Sequence, residues 1–382
     1  MSLLPLLFIS SLLHLYVGWR VAPDLPGGAW AAGGFVALVV ASAALMPMAL
    51  LARGIRRQPL SDRLAWAGAL AMGLFSSLFM LTLARDAVLI FTALFSLAFP
   101  AALAGLPLAR DSAVVVPALG GLVTLWGLLN ARRTAAVVTV EVPIAGLPVG
   151  LHGFTIAQIS DIHVGPTIKR PYLQRIVDRV NGLRADMVAV TGDLVDGSVR
   201  ELAGHVAPLA GLSSTHGTFF VTGNHEYYSG APAWVAELRR LGLQVLMNEH
   251  VVLRHGGAAL LVAGVTDFSA HHFDAAQRSD PQRALADAPA HATTRVLLAH
   301  QPRSAEAAEQ AGFHLQLSGH THGGQFLPWN LFVRMQQPFT AGLHRLRGLW
   351  VYTSRGTGYW GPPKRFGAPS EITRLRLVPA PG

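Results

Sequence analysis

Seven residues with metal-binding side chains lie directly after short apolar segments in the second half of the sequence. Their donors are carboxylate and amide oxygens and imidazole nitrogens, and the chain contains no cysteine. A set of this size holds two ions that share one carboxylate, and it suits Mn, Fe, Zn or Co better than calcium or a structural zinc. Two such ions ~3.5 to 4 Å apart generate a hydroxide and hold a phosphoryl group from both sides. The seven residues are Asp161, His163, Asp193, Asn224, His300, His320 and His322.

Short strands must position these side chains. Five runs rich in Val, Ile, Leu and Phe each end at one of the seven residues or at a glycine beside it, which is typical of buried strands. Helical spacing between the runs predicts an α/β layered domain, in which ligands gather beyond the carboxyl ends of the strands. The five runs are 155–160, 187–191, 219–222, 295–299 and 315–318. The predicted helices are 172–183 and 234–241. Later in the chain we predict a hairpin over 251–265 that turns at Gly256-Gly257, and two further strands over 349–354 and 373–378.

Five sequence blocks around these residues resemble those of the calcineurin-like metallophosphoesterases, in the order of that family. The resemblance covers about residues 150–378, and the closing Gly-His-x-His is the phosphodiesterase-like form rather than that of Ser/Thr protein phosphatases. It implies mixed β-sheets flanked by helices and a hydrolase acting on phosphate ester or pyrophosphate bonds. The blocks are Asp161-Ile162-His163, Gly192-Asp193, Gly223-Asn224-His225-Glu226, His300 and Gly319-His320-Thr321-His322.

The resemblance also implies a role for each matching residue. A hydroxide that bridges the two ions attacks phosphorus, and His225 lies near the leaving-group oxygen as general acid or electrostatic stabiliser. Asp193 bridges the ions. The ligands of one ion are Asp161, His163, Asp193 and His322, and those of the other are Asp193, Asn224, His300 and His320.

Other polar residues near the motifs are interpreted as supporting or unrelated. Glu226, Thr321 and Asp196 are expected beside the ligands rather than among them. The remaining histidines of this half are expected to be ordinary hydrogen-bonded residues outside the site. They are His152, His205, His216, His250, His255, His271, His272, His291, His314 and His344.

Composition divides the chain in two. Residues 1–133 hold nine Arg, four Asp and one His, and their uncharged stretches approach or exceed the ~20 residues that cross a hydrocarbon core. The first stretch lacks a charged start and a small-residue cleavage site, so we interpret it as a retained anchor rather than a signal peptide. We predict a multi-pass helical membrane anchor over 1–133, a linker with a first strand over 134–150, and the phosphoesterase domain over 151–382. The stretches are 1–19, 25–52, 64–84, 87–109 and 112–131.

Two arginine clusters decide the predicted topology. The positive-inside rule puts both in the cytoplasm, which requires an even number of crossings between them. Arg85 and Asp86 leave no room for a loop, so we favour one long helix with a re-entrant or interfacial piece over 64–109. This gives four spans in total. The catalytic domain then lies in the cytoplasm, at a bacterial inner membrane. Five spans, with that domain outside, remain the alternative. Arg85 and Asp86 form either a neutral interfacial pair or an intramembrane polar site. The clusters are Arg53, Arg56, Arg57, Arg63 and Arg132, Arg133.

The layout of spans followed by this domain resembles a membrane-anchored branch of the family. That branch includes YkuE-like and YaeI-like bacterial phosphoesterases and transmembrane proteins with a metallophosphoesterase domain; some relatives hydrolyse the pyrophosphate of UDP-diacylglucosamine, and others cleave nucleotides, phospholipids or aryl esters. The expected partners are the membrane and a phosphate-ester substrate, lipid-linked or nucleotide. The net charge of +9 has no concentrated basic face, so we expect no nucleic-acid partner. A non-catalytic receptor or scaffold that binds phosphorylated ligands is the alternative function, and the oligomeric state is open.

Two segments near the last motif each allow two interpretations. Residues 326–345, rich in Phe and Leu, form either a lipid-facing lip beside the site or a packed insertion. Lys364 and Arg365 either meet a substrate phosphate or are solvated.

Overall fold

The computed structural model describes residues 4–55 and 57–381. Arg56 of the first arginine cluster lies outside the described residues, as does the side chain of Arg53. The chain forms two compact units, one of Met1–Leu129 with Gly361–Lys364 and the other of Asn130–Trp360 with Arg365–Gly382.

Long apolar helices form the first unit. Within the described residues, three helices are long and apolar enough to cross a membrane: Gly28–Leu51, Leu60–Ala98 and Leu108–Arg132. The uncharged stretch 64–84 and the start of 87–109 lie in one continuous helix, so Arg85 and Asp86 do not interrupt it. The helices are α1 (Leu4–Val21), α2 (Gly28–Leu45), α3 (Met48–Leu51), α4 (Leu60–Ala98) and α5 (Leu108–Arg132).

An ionic network surrounds Arg85 and Asp86 in this unit. Arg85 is 4% exposed and donates hydrogen bonds to the Asp24 carboxylate and, at 3.0 Å, to Ser112 Oγ. Asp86 accepts two hydrogen bonds from Arg20, at 2.8 and 2.9 Å. The pair therefore belongs to a network that joins the end of α1, the interior of α4 and the first turn of α5. Two arginines offset two aspartates there, which lowers the cost of burying each charge.

Two six-stranded sheets form the second unit. Their orders are β1-β12-β2-β3-β4-β5 and β10-β11-β9-β8-β7-β6. Strands β2 to β5 are parallel in the first sheet, and β7, β8, β9 and β11 are parallel in the second. The strands are β1 (Ala136–Ile144), β2 (Thr155–Ile159), β3 (Met187–Val190), β4 (Thr218–Phe220), β5 (Gln244–Val245), β6 (Glu249–His255), β7 (Ala258–Gly264), β8 (Thr294–Leu298), β9 (Leu315–Ser318), β10 (Gly342–Leu346), β11 (Leu349–Thr353) and β12 (Glu371–Pro379).

Strand residues alternate between two hydrophobic cores, because successive side chains of a strand point to opposite faces of its sheet. In β3, Met187 and Ala189 lie in the core that also contains Val296 of the other sheet, whereas Val188 and Val190 lie in the core that faces the helices. A third core packs the second sheet against α10. The helices are α6 (Arg170–Asn181), α7 (Val199–Val206), α8 (Asn224–Ser229), α9 (Ala231–Arg240), α10 (Ala305–Gln310) and α11 (Asn330–Val333).

The predicted fold class, membrane helices followed by mixed β-sheets flanked by helices, is confirmed. The five predicted strands that precede the site are β2, β3, β4, β8 and β9, and the predicted hairpin is β6 and β7. Its turn is at Gly256 and Gly257, whose φ values of 55° and 80° favour glycine. The predicted linker 134–150 contains β1, which pairs with β12 along nine residues and so completes the first sheet.

Candidate metal centre

The seven predicted ligands follow strands of both sheets. Because β2, β3 and β4 are parallel, and so are β8 and β9, their carboxyl ends lie at one edge of each sheet. In chain order, Asp161 and His163 follow β2, Asp193 follows β3, Asn224 begins α8 after β4, His300 follows β8, and His320 and His322 follow β9.

Six of these residues, all but Asn224, have donor atoms that lie close together with those of His225. Three overlapping groups each have all donor atoms within 4.8 Å of one another. Asp193 Oδ2 lies 3.1 Å from His300 Nε2 and 3.9 Å from His163 Nε2. The Nε2 atoms of His163 and His322 are 3.0 Å apart. The groups are Asp161 with His163 and His322, His163 with Asp193 and His225, and Asp193 with His300 and His320.

This donor set fits divalent metal ions. Asn224 Oδ1 is buried and, in the part of the chain that the structure describes, has no hydrogen-bond partner, although buried amide oxygens are normally bonded. His320 Nδ1 lies 3.2 Å from His300 Nε2. Burial lowers the pKa of His320 to about 3, so its imidazole is neutral and has a lone pair to offer. Cations here would engage the amide oxygen and offset the buried carboxylate of Asp193.

Hydrogen bonds outside the donor groups orient the ligands. His300 Nδ1 lies 2.7 Å from Thr191 O and donates to it, which leaves Nε2 for Asp193 or a metal ion. Both carboxylate oxygens of Asp161 accept from His320 N, at 2.9 and 3.0 Å. Burial raises the pKa of Asp193, but the positive charge of His300 and its hydrogen bond outweigh burial and lower that pKa well below its ordinary value. The ligands are therefore held in place by the chain itself.

Glu226 connects the two loops that carry Asp193 and Asn224. Its Oε2 accepts from Gly223 N at 2.6 Å and from Asp193 N at 3.0 Å, and its Oε1 accepts from Leu194 N at 2.8 Å. Burial and the charge of Asp193 raise the pKa of Glu226 to about 7. The expectation that Glu226 supports the ligands rather than joining them agrees with these contacts.

Asp196 lies between two histidines of the site. Its Oδ1 is 2.5 Å from His225 Nδ1 and 3.3 Å from His163 Nδ1. Burial lowers the pKa of His225, but the hydrogen bond to Asp196 and the charges of Asp193 and Asp196 outweigh burial and raise that pKa to about 8. The side chain of His225 is 14% exposed, so a protonated imidazole is accessible beside the donor groups.

Two aromatic residues that sequence reasoning did not single out flank His225. Its ring centroid lies 5.2 Å from that of Tyr228 and 5.5 Å from that of Trp360. Tyr228 is three residues after His225 in α8, a spacing that brings helical side chains together and could have identified it. Trp360 is distant in sequence and gives no local signal.

Two motif glycines allow the backbone to approach the carboxylates. A Cβ on Gly223 would lie 2.2 Å from Asp193 Oδ1, and a Cβ on Gly319 would lie 2.2 Å from Asp161 Oδ2. No larger residue fits at either position without movement of a ligand, which explains why glycine precedes the ligand in each motif.

The backbone is strained at the ligands. Five of the seven have positive φ, between 52° and 70°, and such strain concentrates at functional sites. Backbone hydrogen bonds hold the strained residues: Asp161 N donates to Gly192 O at 3.0 Å and His163 N to Asp193 O at 3.1 Å. The five are Asp161, His163, Asp193, His320 and His322.

Lys364 and Arg365 are not solvated, at 2% and 1% exposure. In the second unit, Arg365 donates to His322 O at 2.9 Å, to Arg355 O at 2.8 Å and to Gly358 O at 3.0 Å. In the first unit, Lys364 donates to Gly73 O at 3.1 Å. Arg365 therefore fixes the loop that carries His322, a role the sequence did not predict.

Several of the other histidines make ordinary hydrogen bonds. His152 donates to a backbone carbonyl at 3.1 Å, His250 to another at 2.8 Å, and His216 and His255 contact each other at 3.1 Å. Within the described residues, none of the ten belongs to the three donor groups.

Comparison with known proteins agrees with the predicted family. The profile of the calcineurin-like phosphoesterase family matches residues 154–324. A transmembrane protein with metallophosphoesterase domain of Bos taurus is 43% identical over 282 residues, which are 69% of this chain and 63% of that protein. An uncharacterized metallophosphoesterase of Aquifex aeolicus is 32% identical over 224 residues, 58% of this chain and 84% of that protein. The uncharacterized metallophosphoesterase YkuE of Bacillus subtilis is 27% identical over 239 residues, 60% of this chain and 81% of that protein.

The chain belongs to the calcineurin-like phosphoesterase family. Its relatives include both a transmembrane protein with metallophosphoesterase domain and YkuE, as the sequence predicted. The chain spans somewhat less than two thirds of the length of the bovine relative.

Proposed function

We propose that the chain is a membrane-bound, dinuclear-metal phosphoesterase that hydrolyses a phosphodiester, a pyrophosphate or a phosphomonoester. One observation supports the proposal: His and Asp donor atoms that follow strands of both sheets lie within 4.8 Å of one another in three overlapping groups. The amide oxygen of Asn224, the residue before His225 of one group, is buried and has no hydrogen-bond partner in the described residues. A purely structural cluster of this kind would leave that oxygen unsatisfied.

The residues of the chain have separate parts in the proposed reaction. Two divalent ions would supply Lewis acidity and lower the pKa of a water nucleophile. Asp193 offers its carboxylate to two of the three donor groups. His225 holds a proton at an accessible edge of the site, and Asp196 orients the ring through Nδ1, which leaves Nε2 to donate to the departing oxygen.

We further propose four spans, with the catalytic unit in the cytoplasm at a bacterial inner membrane. Gly120 lies against Leu78, and Ser112 is bonded to Arg85, so α5 runs antiparallel to α4 in the first unit. The arginine-rich connection before α4 and the end of α5 therefore lie on one side, which supports an even number of crossings between the two clusters. Fusions after Gly382 test this: a fluorescent reporter should be active and a periplasmic-type alkaline phosphatase silent. The reverse result supports five spans.

The proposed substrate carries a lipid or a nucleotide. The test is hydrolysis by the purified full chain with Mn²⁺, across aryl phosphomonoesters, alkyl and aryl phosphodiesters and nucleoside-diphospho lipids, with Asp193→Asn as control. Turnover that disappears in the control supports the proposal. A protein that binds two ions and phosphorylated ligands yet turns over none of these substrates would instead be a receptor or scaffold.

A further inference from the structure

An exposed apolar segment follows the last ligand loop of the second unit. We name residues 327–335 the apolar lip. Leu327 is 45% exposed, Leu331 65%, Phe332 50% and Met335 81%. The interpretation of this region as a packed insertion fails for these side chains, because large apolar residues on a soluble surface are seldom this exposed in a continuous run.

The base of the lip is fixed, so its side chains are held outward by a defined backbone. Leu327 N donates to Phe366 O at 3.0 Å, and Arg303 Nε donates to Gln336 O at 2.7 Å just beyond the lip. Gln337, which is 5% exposed, donates to Gln301 Oε1 at 3.3 Å. The outward position of the apolar side chains is therefore a property of the fold.

The lip is continuous with the aromatic residues beside His225. Gln325 Nε2 donates to Trp360 O at 2.9 Å, and Trp360 N donates to Gln325 Oε1 at 2.8 Å. Trp360 is 50% exposed and Tyr228, which also contacts the ring of His225, is 63% exposed. The imidazole of His225 thus borders exposed aromatic side chains.

Two observations indicate that lipid covers the lip. Three residues separate α5, an apolar helix of membrane-spanning length, from β1, and an extended chain of that length reaches only ~10 Å. The start of the catalytic unit is therefore tethered at the bilayer surface. Residues 310–370 also contain no acidic residue, and Arg334 within the lip is exposed. Of the other basic residues in this range, Lys364 and Arg365 are buried, and Arg347 and Arg355 form ion pairs with Glu309 and Glu371. Apolar side chains with interspersed basic ones match an anionic bilayer.

We propose that the apolar lip inserts into the headgroup region of an anionic bilayer and that the centre acts on phosphate esters held in that membrane. The second half rests on the proposed phosphoesterase function, and the first half does not.

A fluorescent label tests the insertion. The chain has no cysteine, so Leu331→Cys in the full chain takes a single environment-sensitive fluorophore, and Val149→Cys, at 82% exposure in the same unit, is the matched control. In nanodiscs of phosphatidylcholine and phosphatidylglycerol, we expect the Leu331 label to shift to shorter wavelength and to be quenched by headgroup-proximal spin-labelled lipid, and the Val149 label to do neither. Equal behaviour of the two labels overturns the insertion. A shift that vanishes at one chain per disc identifies a second copy as the occupant and also overturns it.

Kinetics test the second half. Leu331→Gln with Met335→Gln is expected to raise KM for a vesicle-borne phosphate ester by about tenfold, since apolar insertion strengthens membrane binding. KM for a soluble aryl phosphodiester and kcat for both should be unchanged, and Val149→Gln should alter nothing. An equal loss of activity with both substrates, or no loss with the vesicle-borne substrate, contradicts the proposal that the centre acts on phosphate esters held in the membrane. If the wild type hydrolyses no phosphate ester, the proposed function fails, while the quenching result still decides the insertion.

Discussion

Gly223 lies against the carboxylate that two donor groups share, so Gly223→Ala should disturb that carboxylate. The added Cβ would lie 2.2 Å from Asp193 Oδ1 and 2.6 Å from Asp193 N. Carbon and oxygen atoms approach to ~3.3 Å without strain, so the carboxylate must retreat by about 1 Å. The backbone nitrogen must move as well, which a side-chain rotation cannot achieve.

The expected losses follow from that displacement. Asp193 Oδ1 accepts from His225 N at 2.9 Å, and Asp193 Oδ2 lies 3.1 Å from His300 Nε2. Metal–ligand distances tolerate only about ±0.2 Å, so a retreat of about 1 Å removes Asp193 as a ligand. We expect kcat/KM to fall by about 100-fold or more and bound metal to fall below two ions per chain. Overpacking should also lower the free energy of unfolding by about 1 to 3 kcal/mol.

Gly204→Ala is the matched control, because Gly204 lies in α7 and an added Cβ meets nothing within 4 Å. Alanine favours a helix over glycine by about 1 kcal/mol, so this variant should be at least as stable as the wild type, with unchanged metal content and activity. The measurements are metal per chain by mass spectrometry, kcat/KM with an aryl phosphodiester, and thermal unfolding. If Gly223→Ala keeps two ions per chain and activity within about threefold of wild type, the close approach has no functional consequence and the reasoning is refuted.

Three further substitutions test the site. Asp193→Asn should abolish turnover and lower bound metal more than any other single ligand change, because within the described residues Asp193 is the one carboxylate in two donor groups and its charge offsets the repulsion between two cations. Full turnover with two bound ions in this variant would remove the dinuclear interpretation. His225→Asn should slow the hydrolysis of an alkyl phosphodiester by about 100- to 10,000-fold and that of a p-nitrophenyl ester much less. The metal content should stay as in the wild type, because the contact of residue 225 with Asp193 is made by its backbone N–H. Equal losses for both esters exclude proton donation. Arg365→Lys keeps the positive charge but removes the planar guanidinium, which donates to His322 O. The loop that carries His322 should then be held less firmly, and metal affinity, measured by calorimetric titration, should fall about tenfold. Unchanged metal affinity would show that the guanidinium is dispensable.

The strand ends and ligand types could be predicted because they depend on local sequence. Short apolar runs and the residues that follow them define β2, β3, β4, β8 and β9, and parallel strands bring their carboxyl ends together whatever the rest of the chain does. Six of the seven predicted ligands, all but Asn224, lie with His225 in three groups of close donor atoms, and the metal-binding role of all seven stays a prediction.

The rest depends on contacts between distant residues. Arg365 belongs to a loop rich in Gly and Pro, and nothing in that loop predicts that its guanidinium donates to carbonyls near His322. Trp360 contacts His225 directly although the two are distant in sequence, and its hydrogen bond with Gln325 also joins residues 35 positions apart. The division of the strands into two stacked sheets also could not be predicted from the sequence. The alternation of side chains along a strand shows which residues share a face of a sheet, but not which part of the chain covers that face.

The positive φ of five predicted ligands limits which amino acids the site can accept. Asp, Asn and His enter the left-handed region more readily than most residues, and they are also the residues that bind these ions. Replacing Asp161 with Glu would keep the negative charge, but it would put a longer side chain at a residue with positive φ, a conformation that Glu adopts less readily than Asp. Metal coordination and backbone conformation therefore each favour the same few residue types at these positions, namely Asp, Asn and His. A different metal preference would require new loops rather than new side chains.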